Sequence, residues 1–218
     1  NFRSYNHPFF LTVKYMKDLL IICLIFDNII MEMIYMEITV GVSNRHVHLT
    51  EKDVEELFGK GYKLTKKRDL SQKGQFACEE VVTLKTDKNI IERVRVLGPT
   101  RKYTQVELSK TDSEFLGLNP PVRDSGDLEN SENITIINGE KSIYRENSCI
   151  IAARHIHANY EELKNYNTND VVSVKTKDGY IIDNVHIKKD DTYSLELHID
   201  KDESKKYNLE NGDIVILE

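Results

Sequence analysis

The chain is short of the residues that staple, span or attract nucleic acid. Only three cysteines occur in 218 residues (Cys23, Cys78 and Cys149). Odd in number and widely spaced, they make no disulfide framework and no paired-cysteine zinc signature. A reducing, cytoplasmic setting suits that scarcity. Long apolar runs are missing too. Leu19 to Phe26 is a run of eight, far below the roughly 20 residues a bilayer span needs. Positive charge is in deficit: 30 Lys and Arg against 36 Asp and Glu leave a net charge of -6. That balance argues against nucleic acid as the main partner and leaves room for a local basic patch facing a phosphorylated small molecule.

What is present reads as a water-soluble globular protein, 30% charged and 39% hydrophobic, long enough for one large domain or two small ones. The first 35 residues do not match the rest. Lys14 and Lys17 before the apolar run mimic a signal-peptide n-region, but no small-x-small cleavage site follows. Apolar residues run all round a helical projection there, so the segment makes a poor amphipathic targeting helix. Residues 1–35 read as a non-native or loosely packed extension, with an encapsulation or targeting helix as the alternative. The functional chain is expected to begin near Met36.

From Met36 one pattern organises the chain, because it occurs twice. Arg45-His46-Val47-His48 follows the apolar run Ile38 to Val42, and Arg154-His155-Ile156-His157 follows Cys149 to Ala153. On a strand, residues i and i+2 share a face, so each pair aims two imidazoles the same way. A capping signal follows each pair. Thr50 with Asp53 predicts a helix over Glu51–Phe58, and Asn159 with Glu162 predicts one over Tyr160–Asn165. Elsewhere short strands alternate with turn signals such as Asn138-Gly139 and Asp178-Gly179. That rhythm suggests small barrels rather than a doubly wound sheet.

The repeat extends beyond the histidines. Val81 to Thr86 resembles Val171 to Thr176, and the arms Ile90 to Val96 and Ile181 to Ile187 also match. Equal steps onward reach Glu107 in the first half and His198 in the second. Before the hairpin the first half carries a longer insertion. Each half therefore offers three ligands: His46, His48 and Glu107; His155, His157 and His198. Three nitrogen or carboxylate ligands with a position left open is the layout of a catalytic zinc site. Two such sites suit a phosphate or phosphorylated substrate. Imidazole-rich ligation suits zinc, with iron, cobalt, nickel and copper as alternatives. His186 aligns with Arg95 and reads as a surface strand residue, and Cys78 as a buried spectator. Arg101 is either a phosphate fork or a solvated loop residue. Asp127 is either a general base or a turn residue.

Six motifs resemble the PduL-type phosphotransacylases (phosphate propanoyltransferases). They are V-G-V-S-N-R-H-V-H-L-T at Val40 to Thr50, G-Q-F-A-C-E-E at Gly74 to Glu80, G-P-T-R-K-Y-T-Q-V-E at Gly98 to Glu107, P-V-R-D-S-G-D at Pro121 to Asp127, A-A-R-H-I-H at Ala152 to His157 and L-H-I-D-K-D-E at Leu197 to Glu203. The resemblance implies a mainly β fold with short capping helices and two small β-barrel domains, with a metal site at their interface. One domain would join 36–45 to 154–218, and the other would be 46–153. It implies reversible transfer of a short acyl group between phosphate and coenzyme A, with two Zn2+ held by the six residues above. Arg101 matches a phosphate-contacting arginine, and Ser125 matches a motif serine near the site. Ser43, Arg68, Arg95 and Leu97 match positions on the coenzyme A side.

The expected partners are acyl-CoA, phosphate and acyl phosphate. A second copy of the chain or a bacterial microcompartment shell is the expected macromolecular partner, with no nucleic acid and no membrane. The expected location is the cytoplasm, inside such a microcompartment if packaged. A metal-dependent ester hydrolase and a non-catalytic metal-stabilised assembly module are the competing readings.

Overall fold

The computed structural model describes residues 36–217. The expected extension, with His7 and Cys23, lies outside the described residues. The chain runs β1 (Met36–Ser43), β2 (His46–His48), α1 (Glu51–Phe58), β3 (Lys66–Asp69), β4 (Phe76–Lys85), β5 (Ile90–Gly98), β6 (Gln105–Glu107), α2 (Lys110–Leu116), β7 (Val122–Arg123), β8 (Glu132–Asn138) and β9 (Lys141–Ala152). It continues as β10 (His155–Ala158), β11 (Val171–Thr176), β12 (Ile181–Lys189), β13 (Glu196–Asp200), α3 (Lys201–Tyr207) and β14 (Ile214–Leu217). No helix among these is long and apolar enough to cross a membrane.

The strands close into two six-stranded barrels. One has the order β1-β13-β10-β12-β11-β14. The other runs β4-β5-β2-β6-β9 and closes through β8, which pairs with both β4 and β9; β3 and β7 extend it. The small barrels expected from the sequence are therefore present. We call them the C-terminal and the central barrel. Each has its own core, because inward positions alternate with outward ones along every strand. Ile38, Val40, Ile156, Val174, Ile187, Leu197 and Val215 fill the C-terminal barrel. Val47, Leu84, Val94, Val96, Val106, Ile134 and Ile136 fill the central one. Each fully buried Ile, Leu or Val contributes about 1.5–3 kcal/mol.

The chain changes barrels twice, and both crossings fall at the repeated motif. β1 belongs to the C-terminal barrel and β2 to the central one; β9 belongs to the central barrel and β10 to the C-terminal one. Each barrel thus borrows the strand that leads into the other barrel's histidines.

The first predicted helix forms as expected. The Thr50 hydroxyl accepts from the Asp53 N–H at 3.0 Å, and Val54 and Leu57 are buried. The second does not form. Its cap is complete: Asn159 Oδ1 accepts from Glu162 N at 2.9 Å, and Glu162 Oε2 accepts from Asn159 N at 2.9 Å. Yet residues 160–165 are a run of turns. Lys189 Nζ donates to the Leu163 carbonyl at 2.7 Å and the Tyr166 carbonyl at 2.8 Å. An ammonium has taken acceptors that a helix would offer to its own amides. The short apolar run Cys149 to Ala153 also differs from expectation, being mostly the end of the twelve-residue strand β9.

Candidate active site

Two triads converge on one cleft. His46, His48 and Glu107 form one group, and His155, His157 and His198 the other; within each, the atoms that could ligate an ion lie within 4.8 Å of one another. Strand register explains the match. In the central barrel His46 sits opposite Arg95 on β5 and Glu107 on β6. In the C-terminal barrel His155 sits opposite His186 on β12 and His198 on β13. Between the paired histidines, Val47 and Ile156 point inward and are fully buried. An apolar anchor between two polar residues holds both imidazoles on the cleft face.

The arginines before the pairs are also equivalent. Arg45 Nη1 meets Asp112 Oδ1 at 2.8 Å, and Arg154 Nε meets Glu203 Oε1 at 2.8 Å. Each acid lies three residues past the cap of the helix that follows the third ligand strand: Ser109 caps α2 and Asp200 caps α3. Both ion pairs brace the crossings, and Arg45 also lines the cleft.

The donor set suits a divalent ion. His46 Nδ1 lies 2.8 Å from the Asn44 carbonyl and His155 Nδ1 2.7 Å from that of Ala153. Those contacts leave each Nε2 for an ion. The Nδ1 atoms of His48 and His157 are buried with no hydrogen-bond partner, a cost that ligation would remove. Burial holds His48 and His155 well below the ordinary imidazole range and His157 down to about 3. All three are therefore neutral and ready to ligate. His46 differs. Burial opposes its charge, but Glu107 raises its pKa by charge and hydrogen bonding. Burial likewise opposes the Glu107 charge, yet His46, then His48 and Arg101, hold that carboxyl well below its usual range. Their closest atoms are 3.4 Å apart.

The cleft encloses about 1110 Å³ and is lined from both barrels, including all six triad residues with Ser43, Arg68, Arg95, Leu97, Arg101 and Ser125. Arg101 Nη1 donates to Ser125 Oγ at 3.0 Å, and Gln105 Nε2 donates to the same oxygen at 2.8 Å. Ser125 is thereby occupied as an acceptor. Arg95 Nη1 donates to the carbonyls of Cys78 at 2.9 Å and Glu79 at 2.8 Å. Lys67, Arg68 and Arg93 add exposed positive charge to the lining. Asp127 is not part of that lining; its carboxylate takes Arg123 at 3.3 Å. His186 pairs with Asp124 at 3.0 Å.

Cys78 and Cys149 are buried thiols. Burial pushes the first to about 12 and the second upward too, so neither is a thiolate nucleophile at neutral pH. Sequence reasoning missed Glu196, Gln72 and Lys188, which also line the cleft. For Glu196 a signal existed: it stands two residues before His198, as Gln105 stands two before Glu107.

Comparison with known proteins settles the relationship. A model of the family described as phosphate propanoyltransferase matches residues 39–210. The chain belongs to this family. A phosphate propanoyltransferase of Thermotoga maritima is 48% identical over 185 residues, covering 83% of this chain and 88% of the relative. One from Priestia megaterium is 47% identical, covering 83% and 85%. One from Lachnoclostridium phytofermentans is 45% identical, covering 83% and 86%. The matched span takes in both repeated motifs, both barrel crossings and all six triad residues.

Proposed function

We infer that this chain is a phosphate acyltransferase, moving a short acyl group such as propanoyl or acetyl reversibly between coenzyme A and phosphate. One observation carries the finer reading: two three-ligand triads face a single cleft that also holds an anchored arginine. His46, His48 and Glu107 would hold one divalent ion, and His155, His157 and His198 a second. The imidazole-rich donor set supports zinc. Bound there, the ions would supply Lewis-acid stabilisation of phosphate oxygens.

The chain's own residues do the rest. Arg101, fixed by Ser125, presents its guanidinium to the phosphate and offsets charge developing on the leaving group. Arg68, Ser43 and Leu97 receive coenzyme A, with Arg95 stiffening the strand beside them. In the direction that makes acyl-CoA, the coenzyme A thiolate attacks the carbonyl carbon of the acyl phosphate. The carbonyl carbon to phosphate oxygen bond breaks, and phosphate leaves with the electron pair. Both described cysteines are buried and protonated, and the Ser125 hydroxyl is engaged. No enzyme nucleophile serves among the described residues, so both substrates bind together. A cytoplasmic setting suits the sparse cysteines, and packaging in a microcompartment rests on family resemblance alone.

The test is thiol release from acetyl-CoA and propanoyl-CoA with and without phosphate. Strict phosphate dependence with intersecting initial-velocity lines is expected. Release without phosphate means a hydrolase, and parallel lines mean an acyl-enzyme; either result sinks this reading.

A further inference from the structure

The triads differ in where their carboxylate stands. In the central barrel Glu107 is itself one of the three, and the residue two before it is an amide, Gln105. In the C-terminal barrel all three are imidazoles, and the residue two before His198 is Glu196. Glu196 Oε2 lies 2.8 Å from His198 Nε2. Its side chain is 14% exposed.

Glu196 is held from three directions. The Ser71 hydroxyl donates to Glu196 Oε2. Gln72, 3% exposed, donates from Nε2 to Glu196 Oε2 at 3.4 Å and to the Ser194 carbonyl at 3.2 Å, and accepts from Ser194 N at 3.1 Å; the same Nε2 lies 3.5 Å from His198 Nε2, farther than the 2.8 Å from that ring nitrogen to Glu196. Beneath the carboxyl is Gly41, where a Cβ would come within 2.8 Å of Glu196 Cδ. Ser71 and Gln72 come from the central barrel, in the first-half insertion between β3 and β4. The insertion thus has a use: it reaches across the cleft to the other barrel's triad.

We propose that Glu196 is a positioning residue for the second ion. Accepting from His198 Nε2–H, it leaves Nδ1 as the ligating atom. His198 then carries the opposite tautomer to His46 and His155, whose Nδ1 atoms face backbone carbonyls. Glu196 also balances charge. A divalent ion with two imidazoles and Glu107 carries a formal +1, and one with three imidazoles and Glu196 beside them carries the same. This proposal rests on the two-ion reading above.

The experiment measures zinc stoichiometry and affinity by chelator competition on the full chain, for wild type, Glu196→Ala, Glu196→Gln and Gly41→Ala. Long-range 15N–1H correlation reads the tautomers in the zinc-loaded wild type. Wild type should hold two ions. Glu196→Ala should keep one at wild-type affinity and hold the other about 10–100-fold more weakly, the usual cost of removing a ligand's hydrogen-bond partner. Glu196→Gln retains an acceptor and should fall between them. Gly41→Ala, which displaces the carboxyl without removing it, should weaken the same ion. His198 should be protonated on Nε2 and His155 on Nδ1. The last two readouts carry the test should Glu196→Ala fail to fold. Two ions at wild-type affinity in Glu196→Ala and Gly41→Ala, or His198 protonated on Nδ1, overturns this proposal alone. Fewer than two ions in wild type overturns it together with the two-ion reading.

Discussion

The central and C-terminal barrels are two uses of one plan. Each places a His-x-His strand between a parallel neighbour and an antiparallel one, so that the third triad residue lies opposite the first histidine. They diverge around that frame. The central barrel keeps a true helix after its histidines, and the C-terminal barrel has turns there. The central barrel also sends out both segments that reach over its neighbour: the Ser71–Gln72 turn, and the Asp124 turn that meets His186 and Lys188. The two triads share one geometry, and the segments that cross between the barrels differ.

The largest expected effect comes from breaking the triads one at a time. His48→Ala and His157→Ala should each lower kcat by on the order of 10³-fold, comparable with loss of a principal transition-state contact. Metal analysis should find one ion lost in each, leaving the other barrel's ion in place. Simultaneous loss of both ions from either variant would show one shared centre rather than two.

Next comes a contrast in the barrels' supports. Asp53 is 2% exposed in the first turn of α1, where Arg145 Nε on β9 donates to it at 3.1 Å and the Thr104 hydroxyl donates as well. Asp53 is buried but Arg145 is 28% exposed, so Arg145→Ala should lower stability by about 1–3 kcal/mol in denaturant melts, the cost of leaving a buried acceptor short of a charged partner. Burial alone would raise the Asp53 pKa, but the bonds from Arg145 and Thr104 depress it. A carboxyl depressed by folding stabilises above its unfolded pKa, about 3.9. That contribution disappears as pH falls through the lower native value. The Asp53 component of acid unfolding should therefore shrink in Arg145→Ala, with the bonds from Thr104 and Thr50 left to hold part of it.

The smallest effect sharpens the comparison of the crossings. Arg45 makes one partly exposed ion pair, whereas Arg154 also donates to the Asp183 carbonyl at 3.1 Å. Arg45→Ala should cost about 0.5–1 kcal/mol and Arg154→Ala about 1–2 kcal/mol. Equal losses on thermal melting would mean that the two braces have not diverged.

Much of this was written in local pattern. The doubled Arg-His-x-His, the capped α1 and the stepwise match to Glu107 and His198 were legible because strand periodicity carries position forward. Three things were not. The turns at 160–165 depend on Lys189, which arrives from β12, more than twenty residues later. The purpose of the first-half insertion lies in a contact between Gln72 and Ser194, a pairing no local rule predicts. Arg145 stands out by no local pattern, yet it is the partner of Asp53, 92 residues away.

The two crossings also bear on the order of assembly during synthesis. β1 is the first described strand to leave the ribosome, yet its partners are β13 and β14. The central barrel, β2 to β9, can close while β1 still waits. The C-terminal barrel closes only when the last strand arrives, so the apolar face of β1, with Ile38 and Val40, stays uncovered through most of translation. A nascent chain stalled near residue 152 should therefore bind a hydrophobicity-seeking chaperone through β1, and release it once β14 has emerged.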